Sequence, residues 1–349
     1  MRCILHIGTE KTGTTTIQRM LRHNRDALFD QGFYVPASLG PLEHHHLVSI
    51  GIRAGRFFSP LSRAGVRSKA EVKEFKLELR KEFKSELLKV PSTSTLTLSS
   101  ERCFRVLTNE DEIERLVKFL SRLCDEVRVV VYLRPQHDFC TSLYSTQLKN
   151  GFVDDDILPS DPSKMPQLNY HAMLQRWANV VGHDNIDVRL FDRSMFLDGD
   201  IRADFFTSVL GVDMATLESI PNQNESLSVE AQLFLRTLNQ YLPRYEDKKV
   251  LSTKRANIGG LLGQVASGKG MLPTESEARE FYALFAESNE LVRQTWFPER
   301  SELFNIDFSK YPATKPDYEL SQEAAFEIFA NLWAAKQNQV DFLARKRQQ

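Results

Sequence analysis

The chain of 349 residues is 42% hydrophobic and 26% charged, which is ordinary for a globular protein that buries a sizeable core. Its 45 lysines and arginines nearly balance its 46 aspartates and glutamates, so a formal net charge of −1 provides no field for nonspecific binding of nucleic acid. Any anion must therefore be bound by a local site. The length is compatible with two domains or with one large α/β domain that carries additions.

The cysteines and the apolar runs indicate the compartment. The four cysteines are widely separated and form no CxxC pair, which favours reduced, buried thiols. The first residues lack the basic-then-apolar pattern of a secretory signal. No apolar run approaches the roughly 20 residues that span a bilayer. We therefore expect a cytoplasmic protein without an integral membrane segment.

The first predicted elements are a strand, a loop and a helix. The apolar run from Cys3 to Ile7 predicts a buried strand, which ends at Gly8. A second glycine, Gly13, precedes a helix predicted over 14–29. In this arrangement the free N–H groups and the positive end of the helix dipole point at one spot, which is typical of phosphate-binding loops.

Further strands and helices alternate along the next 160 residues. Strands are predicted at 33–35, 95–98, 127–133 and 186–191, and helices at 69–88, 109–123, 135–150 and 170–181. This alternation predicts βαβ units and an α/β three-layer sandwich with a central parallel sheet, as in P-loop NTPases. Ligands of such sheets bind beyond the carboxyl ends of the strands, where Gly8, Glu101 and Arg134 are predicted to lie.

The last third of the chain carries no strand pattern. Helices are predicted at 228–242, at 274–296 (after a Thr274/Glu277 capping box) and at 321–345. A glycine-rich stretch over 258–270 is interpreted as a linker. We therefore predict a core at 1–225 and a helical extension or lid at 226–349.

The loop departs from a Walker A motif in one respect. Gly8, four intervening residues, Gly13 and Thr15 match its spacing, but Thr14 occupies the position of the lysine that would reach the β- and γ-phosphates. A lysine occurs three residues earlier, as Lys11. No strand ends in a clear Walker B aspartate. The pattern favours a nucleotide donor handled without Mg²⁺, with Lys11 directed at the bond that breaks and the 13–16 amides and hydroxyls on the 5′-phosphate.

The segment 8–16, GTEKTGTTT, resembles the phosphosulfate loop of sulfotransferases that use 3′-phosphoadenosine 5′-phosphosulfate (PAPS). In that family the loop is commonly written PKxGTT, and Glu10 stands where the family usually has proline. Weaker similarities to bacterial sulfotransferase-like proteins occur at 170–192, at 224–228 and around Lys269. A C-terminal loop closes over the nucleotide in related enzymes, and the resemblance implies the same for the loop of Lys269. The resemblance assigns donor binding to Thr9, Lys11, Thr12, Gly13, Thr14, Thr15, Thr16 and Lys269.

A second family motif is a strand that ends in arginine, with a serine eight residues later in the next helix. Arg134 and Ser142 have this spacing. The resemblance implies that the two residues bind the 3′-phosphate of PAPS. The chemistry is reasonable because a guanidinium can bind a phosphate through two parallel hydrogen bonds and a helical hydroxyl adds a neutral donor.

The base that takes the acceptor proton has several candidates. Glu101 follows a predicted strand, at the place where related cytosolic enzymes carry a catalytic histidine, and we favour it slightly. His46 and His45 come next, because an imidazole accepts a proton near pH 7 without tuning. Three adjacent histidines, including His44, also raise the question of a metal site. Consecutive side chains diverge and no further ligand completes a set, so no metal is expected.

The predicted function is transfer of a sulfuryl group from PAPS, the co-substrate, to an acceptor hydroxyl on a carbohydrate, a glycoconjugate or another small molecule. Lys11 would stabilise the leaving phosphate. Two alternatives remain open at this point. One is a P-loop kinase of a small molecule, and the other is a catalytically inactive module that binds a nucleotide.

Overall fold

The structure is a computed structural model that describes residues 1–40, 42–53, 56, 61, 64–221, 226–246, 250–252, 255 and 257–348. The chain forms two compact units. The first comprises Met1–Arg134, Ser163–Asn222 and Phe285–Asn305, and the second comprises Pro135–Pro162, Gln223–Leu284 and Ile306–Gln349. The boundary between 225 and 226 stays a prediction. Asn224 and Glu225, which belong to one of the weaker similarities, lie outside the described residues.

The first unit is built on a parallel sheet of five strands. These are β1 (Arg2–Gly8), β2 (Phe33–Tyr34), β3 (Thr95–Ser99), β4 (Glu126–Leu133) and β5 (Ile186–Leu190). Their order is β2-β3-β1-β4-β5, so β1 is central, and Leu5 lies opposite both Leu98 and Val129. This sheet confirms the predicted α/β class with a central parallel sheet.

The helices of the described chain are, in order, α1 (Thr14–His23), α2 (Arg25–Asp30), α3 (Leu47–Gly51), α4 (Lys69–Leu87), α5 (Arg102–Val106), α6 (Glu110–Leu120), α7 (Gln136–Lys149), α8 (Tyr170–Val181), α9 (Ile201–Ala203), α10 (Val229–Tyr241), α11 (Ile258–Val265), α12 (Glu275–Ala283), α13 (Ala286–Trp296) and α14 (Gln322–Gln348). A π-helical turn, Asp204–Leu210, follows α9. None of the helices in the described part of the chain is both long enough and apolar enough to cross a membrane.

Helices cover both faces of the sheet because the chain reverses its direction across the sheet after β2. The connection from β1 to β2 runs toward one edge, whereas those from β3 to β4 and from β4 to β5 run toward the other. Right-handed crossovers then place α1 and α2 on one face and α6 and α8 on the opposite face. On the α1 face, Ile17 and Met20 pack with Val130, Tyr132 and Phe205 in a buried cluster.

A buried polar network joins the sheet to the π-helical turn. The Asp204 carboxylate accepts hydrogen bonds from Arg189 Nε and Nη2 at 2.8 and 2.6 Å, and from the Tyr132 hydroxyl at 2.6 Å. Asp204 is 2% exposed. The network fixes Tyr132, whose main chain contacts the loop after β1.

One predicted helix, 14–29, is interrupted. Asn24 separates α1 from α2, and its side-chain amide donates to the Met20 and Glu218 carbonyls, both at 3.1 Å. The Glu218 N–H donates back to Asn24 Oδ1 at 2.7 Å. This contact with a residue almost 200 positions away breaks the helix, so periodicity alone could not indicate the break.

The second unit corrects two predictions. A short antiparallel pair, β6 (Tyr245–Glu246) and β7 (Val250–Leu251), occurs where no strand was expected. The glycine-rich stretch contains α11 rather than a linker, with Leu262 in the core of the unit. A Cβ atom at Gly259 would lie 2.8 Å from Lys149 Cβ, so this glycine permits close packing of α11 on α7.

The helix predicted over 274–296 also differs. The capping box of Thr274 and Glu277 is present and begins α12 as expected. That helix ends at Ala283, and α13 begins at Ala286, where the chain passes from the second unit to the first. The four cysteines are buried thiols without disulfides, as the sequence indicated.

Candidate functional site

The loop between β1 and α1 ends at the N-terminus of a helix, a place that favours an anion. Gly13 precedes α1 with φ 74° and ψ 11°, a left-handed conformation that favours glycine. The first N–H groups of a helix have no partner within the helix, and the dipole places positive charge there. A Cβ atom at Gly13 would lie 3.2 Å from Ile201 Cγ1. Both the backbone and the packing therefore require glycine at this position.

Two loop threonines hold the loop itself. The Thr9 N–H and hydroxyl both donate to the Tyr132 carbonyl at 3.0 Å, and the Thr12 hydroxyl donates to the Thr9 carbonyl at 2.6 Å. Both side chains are buried. Their contact with a donor stays a prediction, and their role in this structure is to fix the loop against β4.

The guanidinium of Arg134 contacts the main chain of Lys11 at the carboxyl edge of the sheet. Lys11 has φ 64°, a left-handed conformation that is uncommon for a residue with a side chain and is often found at functional sites. Arg134 Nη1 donates to the Lys11 carbonyl at 3.2 Å. The guanidinium lies 5.6 Å from the centre of the Phe191 ring, and the Tyr170 hydroxyl donates to the Arg134 carbonyl at 2.7 Å.

The negative charge of Glu10 in the loop is balanced by a cationic partner. Its carboxylate lies 3.3 Å from Arg105 Nη1 on α5. Burial raises the pKa of Glu10, while the charges of Arg105, Arg102 and Lys11 act in the opposite direction. Arg105 on α5 thus compensates the negative charge that Glu10 brings to the loop, and no local sequence pattern indicates this ion pair.

Glu101 follows β3 and lies directly against the base of the loop. A Cβ atom at Gly8 would be 3.2 Å from both Cα and Cβ of Glu101. Within the described part of the chain, the Glu101 Oε2 atom is buried and has no hydrogen-bond partner. Burial raises the pKa of Glu101 to about 7, and the negative charges of Glu43 and Glu10 contribute. This carboxyl group can exchange a proton near neutral pH.

Glu43 and Arg102 belong to the same group and were missed from the sequence. Arg102 donates through Nε and Nη2 to Glu43 Oε1 at 3.1 and 2.9 Å. Among the described residues, Glu43 Oε2 has no hydrogen-bond partner, and this atom is buried. No sequence pattern signals this pair, because it joins the segment before α3 to α5. Together, Glu10, Glu43 and Glu101 form what we call the carboxylate cluster.

The three histidines have separate environments. His44 is structural, because its Nδ1 accepts from the Ser99 N–H at 2.9 Å and its Nε2 donates to the Pro36 carbonyl at 3.1 Å. The rings of His45 and His46 have centres 4.1 Å apart and are tilted by 51°, and burial lowers the pKa of His46 to about 4. Their assignment as bases stays a prediction. Among the described residues, no group of three or more His, Cys, Asp or Glu side chains has the geometry of a metal site.

Two predicted donor ligands belong to the second unit. Ser142 lies on α7 and is half-buried. Lys269 is exposed and follows Gly268, whose N–H donates to the Ser226 carbonyl at 2.7 Å. Thr15 and Thr16, in the first unit, occupy the first turn of α1 and are half-buried. Binding of the donor by these four residues stays a prediction.

Comparison with known proteins gives limited similarity. No family model matches the chain. An uncharacterised protein from Archaeoglobus fulgidus is 26% identical over 199 residues, which are 56% of this chain and 52% of that protein, so the match extends over about half the length of that relative. The crystal structure of a sulfotransferase from Alicyclobacillus acidocaldarius aligns with 84% of this chain and 95% of its own, at 14% identity and a TM-score of 0.43. The function must therefore be inferred from the site itself.

Proposed function

We propose that the protein is a sulfotransferase that moves a sulfuryl group from PAPS to an acceptor hydroxyl. The observation that carries the proposal is the contact of Arg134 with Lys11 beside the open N-terminus of α1. The loop thus carries a lysine, a contacting guanidinium and the N-terminus of a helix, in a protein whose formal net charge is −1. Such a loop is suited to a donor with several anionic groups.

The proposed contacts with the donor differ from those of a Walker A site. The N–H groups of 13–16, with the hydroxyls of Thr15 and Thr16, would bind the 5′-phosphosulfate. Lys11 would stabilise the charge on the leaving phosphate. Arg134 would bind the 3′-phosphate, and the donor contacts assigned to Ser142 and Lys269 stay predictions from the sequence. No lysine follows Gly13 to serve a γ-phosphate, which is why we favour PAPS over ATP.

The acceptor proton would pass to Glu101. In the transfer step the acceptor oxygen forms a bond to sulfur, the bond from sulfur to the phosphate oxygen breaks, and its electron pair leaves with the phosphate. The acceptor proton goes to a carboxylate whose raised pKa makes it a stronger base than an ordinary glutamate. His46 and His45 are the other candidates for the base. The acceptor we propose is a hydroxyl of a carbohydrate or glycoconjugate.

Binding and turnover test this proposal in sequence. We expect adenosine 3′,5′-bisphosphate to bind and to raise the melting temperature, with ATP·Mg²⁺ having little effect. With PAPS and a panel of glycan acceptors, release of adenosine 3′,5′-bisphosphate measures transfer. Lys11→Ala should lower kcat by about 10²- to 10³-fold, by analogy with the loss of one group that stabilises a developing anion. Lys118→Ala, at an exposed lysine of α6, is the matched control.

Three results would contradict the proposal. Tight binding of ATP·Mg²⁺ with indifference to adenosine 3′,5′-bisphosphate would favour a small-molecule kinase. Donor binding without transfer to any acceptor would favour an inactive nucleotide-binding module. Unchanged kcat in Lys11→Ala would contradict the role given to Lys11.

A further inference from the structure

A groove at the amino edge of the parallel sheet lies away from the donor loop. Its volume is about 1220 Å³, and it runs between α4 and α6. Met1, Ser92 and Asp125 line it, and they come shortly before β1, β3 and β4. The amino ends of parallel strands share one edge, and the 7 residues of β1 place the loop roughly 20 Å from that edge. The groove is therefore separate from the candidate site.

The charged side chains of the groove carry an excess of positive charge. The cations are Arg80, Lys81, Lys84 and Arg122, and the carboxylates are Glu78 and Asp125. Asp125 already accepts a hydrogen bond from the Met1 amino group at 2.7 Å. In the part of the chain that the structure describes, none of the four cations forms an ion pair. By contrast, Arg115 and Lys118 on α6 each pair with an acid four residues earlier, at 2.8 and 2.7 Å.

The floor of the groove is apolar and fixes one of these cations. Leu87 and Phe119 are buried, and Leu123 is half-buried. The Arg80 guanidinium lies 5.4 Å from the centre of the Phe119 ring, and Arg80 Nη2 donates to the Ile50 carbonyl at 3.3 Å. These contacts position the guanidinium but do not neutralise its charge.

Two leucines project from the same helix as the groove lysines. Leu77 is 65% exposed and Leu88 is 86% exposed. They are about three helical turns apart, and Leu88 keeps helical dihedral angles (φ −61°, ψ −20°), so both point to the same side of α4. Lys81 and Lys84 lie between them on that side, and both are exposed. Leucines exposed to this extent pack little against their own protein, so their apolar surface is available to a partner.

We propose that this surface binds an anionic lipid bilayer. We call it the basic leucine face, and its residues are Leu77, Arg80, Lys81, Lys84, Leu88 and Arg122. The two leucines would insert below the lipid headgroups, while the cations contact the lipid phosphates. A lysine suits this position because its apolar stem can lie along the acyl boundary with the ammonium group at the level of the phosphates. The inference goes beyond the proposed function and does not depend on it.

The spacing of the leucines favours a bilayer over an acidic protein helix. A helix that docks in a groove is read through apolar anchors at spacings of three, four and seven residues. On α4, the positions four and seven residues after Leu77 are Lys81 and Lys84, which interrupt such a stripe. A bilayer accepts this pattern because separate apolar side chains insert between lipids, and its phosphates offer negative charge to every cation of the face.

Co-sedimentation of the full chain with sucrose-loaded vesicles tests the proposal. Vesicles of phosphatidylcholine with about one-third phosphatidylglycerol are compared with vesicles of phosphatidylcholine alone. We expect binding to the anionic vesicles to be at least about tenfold tighter, because the cations of the face contribute only there. Binding should weaken when the ionic strength rises from about 0.1 M to about 0.5 M, because salt screens exposed charges.

Four substitutions at exposed positions divide the binding into its two parts. Lys81→Gln and Lys84→Gln should each weaken binding about fivefold, since one lysine near an anionic surface contributes about that factor. Leu77→Ser and Leu88→Ser should each weaken it about fivefold as well, because each removes apolar surface that would insert.

Matched controls lie in the second unit. Leu284 is 65% exposed, like Leu77, and Lys336 is an exposed lysine of α14. Leu284→Ser and Lys336→Gln should leave vesicle binding unchanged. The rise in melting temperature with adenosine 3′,5′-bisphosphate should be the same in all six variants, which shows that each is folded and separates membrane binding from donor binding.

A fluorescent probe reports insertion directly. The four native cysteines are buried, so an environment-sensitive dye reacts selectively with the thiol introduced by Leu88→Cys. With anionic vesicles its emission should shift to shorter wavelength and increase in intensity. The same dye attached after Leu284→Cys should not respond.

Three results would overturn the inference. The folded native chain failing to sediment with anionic vesicles would refute binding to a bilayer. Unchanged binding after both lysine or both leucine substitutions would show that another surface makes the contact. A dye at position 88 that does not respond to bound vesicles would refute insertion. None of these results bears on sulfuryl transfer, which donor binding and turnover test separately.

Discussion

Replacing Glu101 by glutamine should change how stability depends on pH. The structure buries this carboxyl group and raises its pKa from an ordinary value of 4.5 to about 7. Between these two values the folded state holds a proton that the unfolded state has lost. The free energy of unfolding therefore falls as the pH rises through this window, because the folded state binds more protons. Glu101→Gln removes the titration.

The magnitude follows from the size of the rise in pKa. At 1.36 kcal/mol per pKa unit, a rise from 4.5 to about 7 corresponds to about 3 kcal/mol of stability lost between pH 4.5 and pH 8. Urea unfolding of both proteins at pH 5, 6.5 and 8 measures the difference. Relative to the native protein, Glu101→Gln should gain up to about 3 kcal/mol between pH 5 and pH 8. The readout is this slope, because the buried amide adds an offset that is independent of pH.

Glu86→Gln is a control with the opposite sign. Burial acts to raise the pKa of Glu86, but hydrogen bonds from the Ala37 and Ser38 N–H groups, the Ser38 hydroxyl and the Tyr34 hydroxyl lower it overall. Its contribution to stability is present above the pKa of the unfolded state and is lost on acidification, so Glu86→Gln should be more destabilising at pH 8 than at pH 4. Parallel stability curves for the native protein and Glu101→Gln would refute the raised pKa of Glu101.

Two further substitutions test the surroundings of the site by urea unfolding. Asp204→Asn should lower the free energy of unfolding by about 3 kcal/mol because it breaks a buried bidentate ion pair with Arg189. Asp187 lies 3.6 Å from the same arginine and is more exposed, so Asp187→Asn should change the free energy of unfolding by less than about 1 kcal/mol. Equal effects of the two substitutions would contradict the stabilising role given to the Asp204 ion pair. Gly13→Ala should lower the free energy of unfolding by about 1–2 kcal/mol because of the left-handed backbone, and by more because the new Cβ atom contacts Ile201. Gly32 has φ 85°, and a Cβ atom there would have no described atom within 4 Å, so Gly32→Ala should show the backbone cost alone. Equal losses in the two glycine variants would mean that the contact at Gly13 is relieved without cost.

Local patterns were sufficient for much of the fold. The apolar runs of β1 and β4 and the glycine spacing between β1 and α1 predicted the central strands and the loop, because both depend on residues close in sequence. The position of Arg134 immediately after β4 followed in the same way. Its contact with Lys11 is consistent with the rule that the carboxyl ends of neighbouring parallel strands meet.

Long-range contacts account for the features that the sequence did not indicate. The ion pair of Glu10 with Arg105 and that of Glu43 with Arg102 each join separate segments through α5, and neither partner is marked by a local pattern. Gly259 was interpreted as part of a linker because glycine is common in flexible segments. In the structure it serves close packing on α7, a use of glycine that depends on a neighbour distant in sequence.

The hydrogen bonds of Thr9 and Thr12 have a thermodynamic consequence. They fix the loop against the Tyr132 carbonyl through contacts within the protein. A loop that is already ordered loses little conformational entropy when an anion binds, so more of the interaction energy remains as affinity. Rigidity also makes the loop selective. A loop held in one conformation would distinguish anions by size and shape as well as by charge.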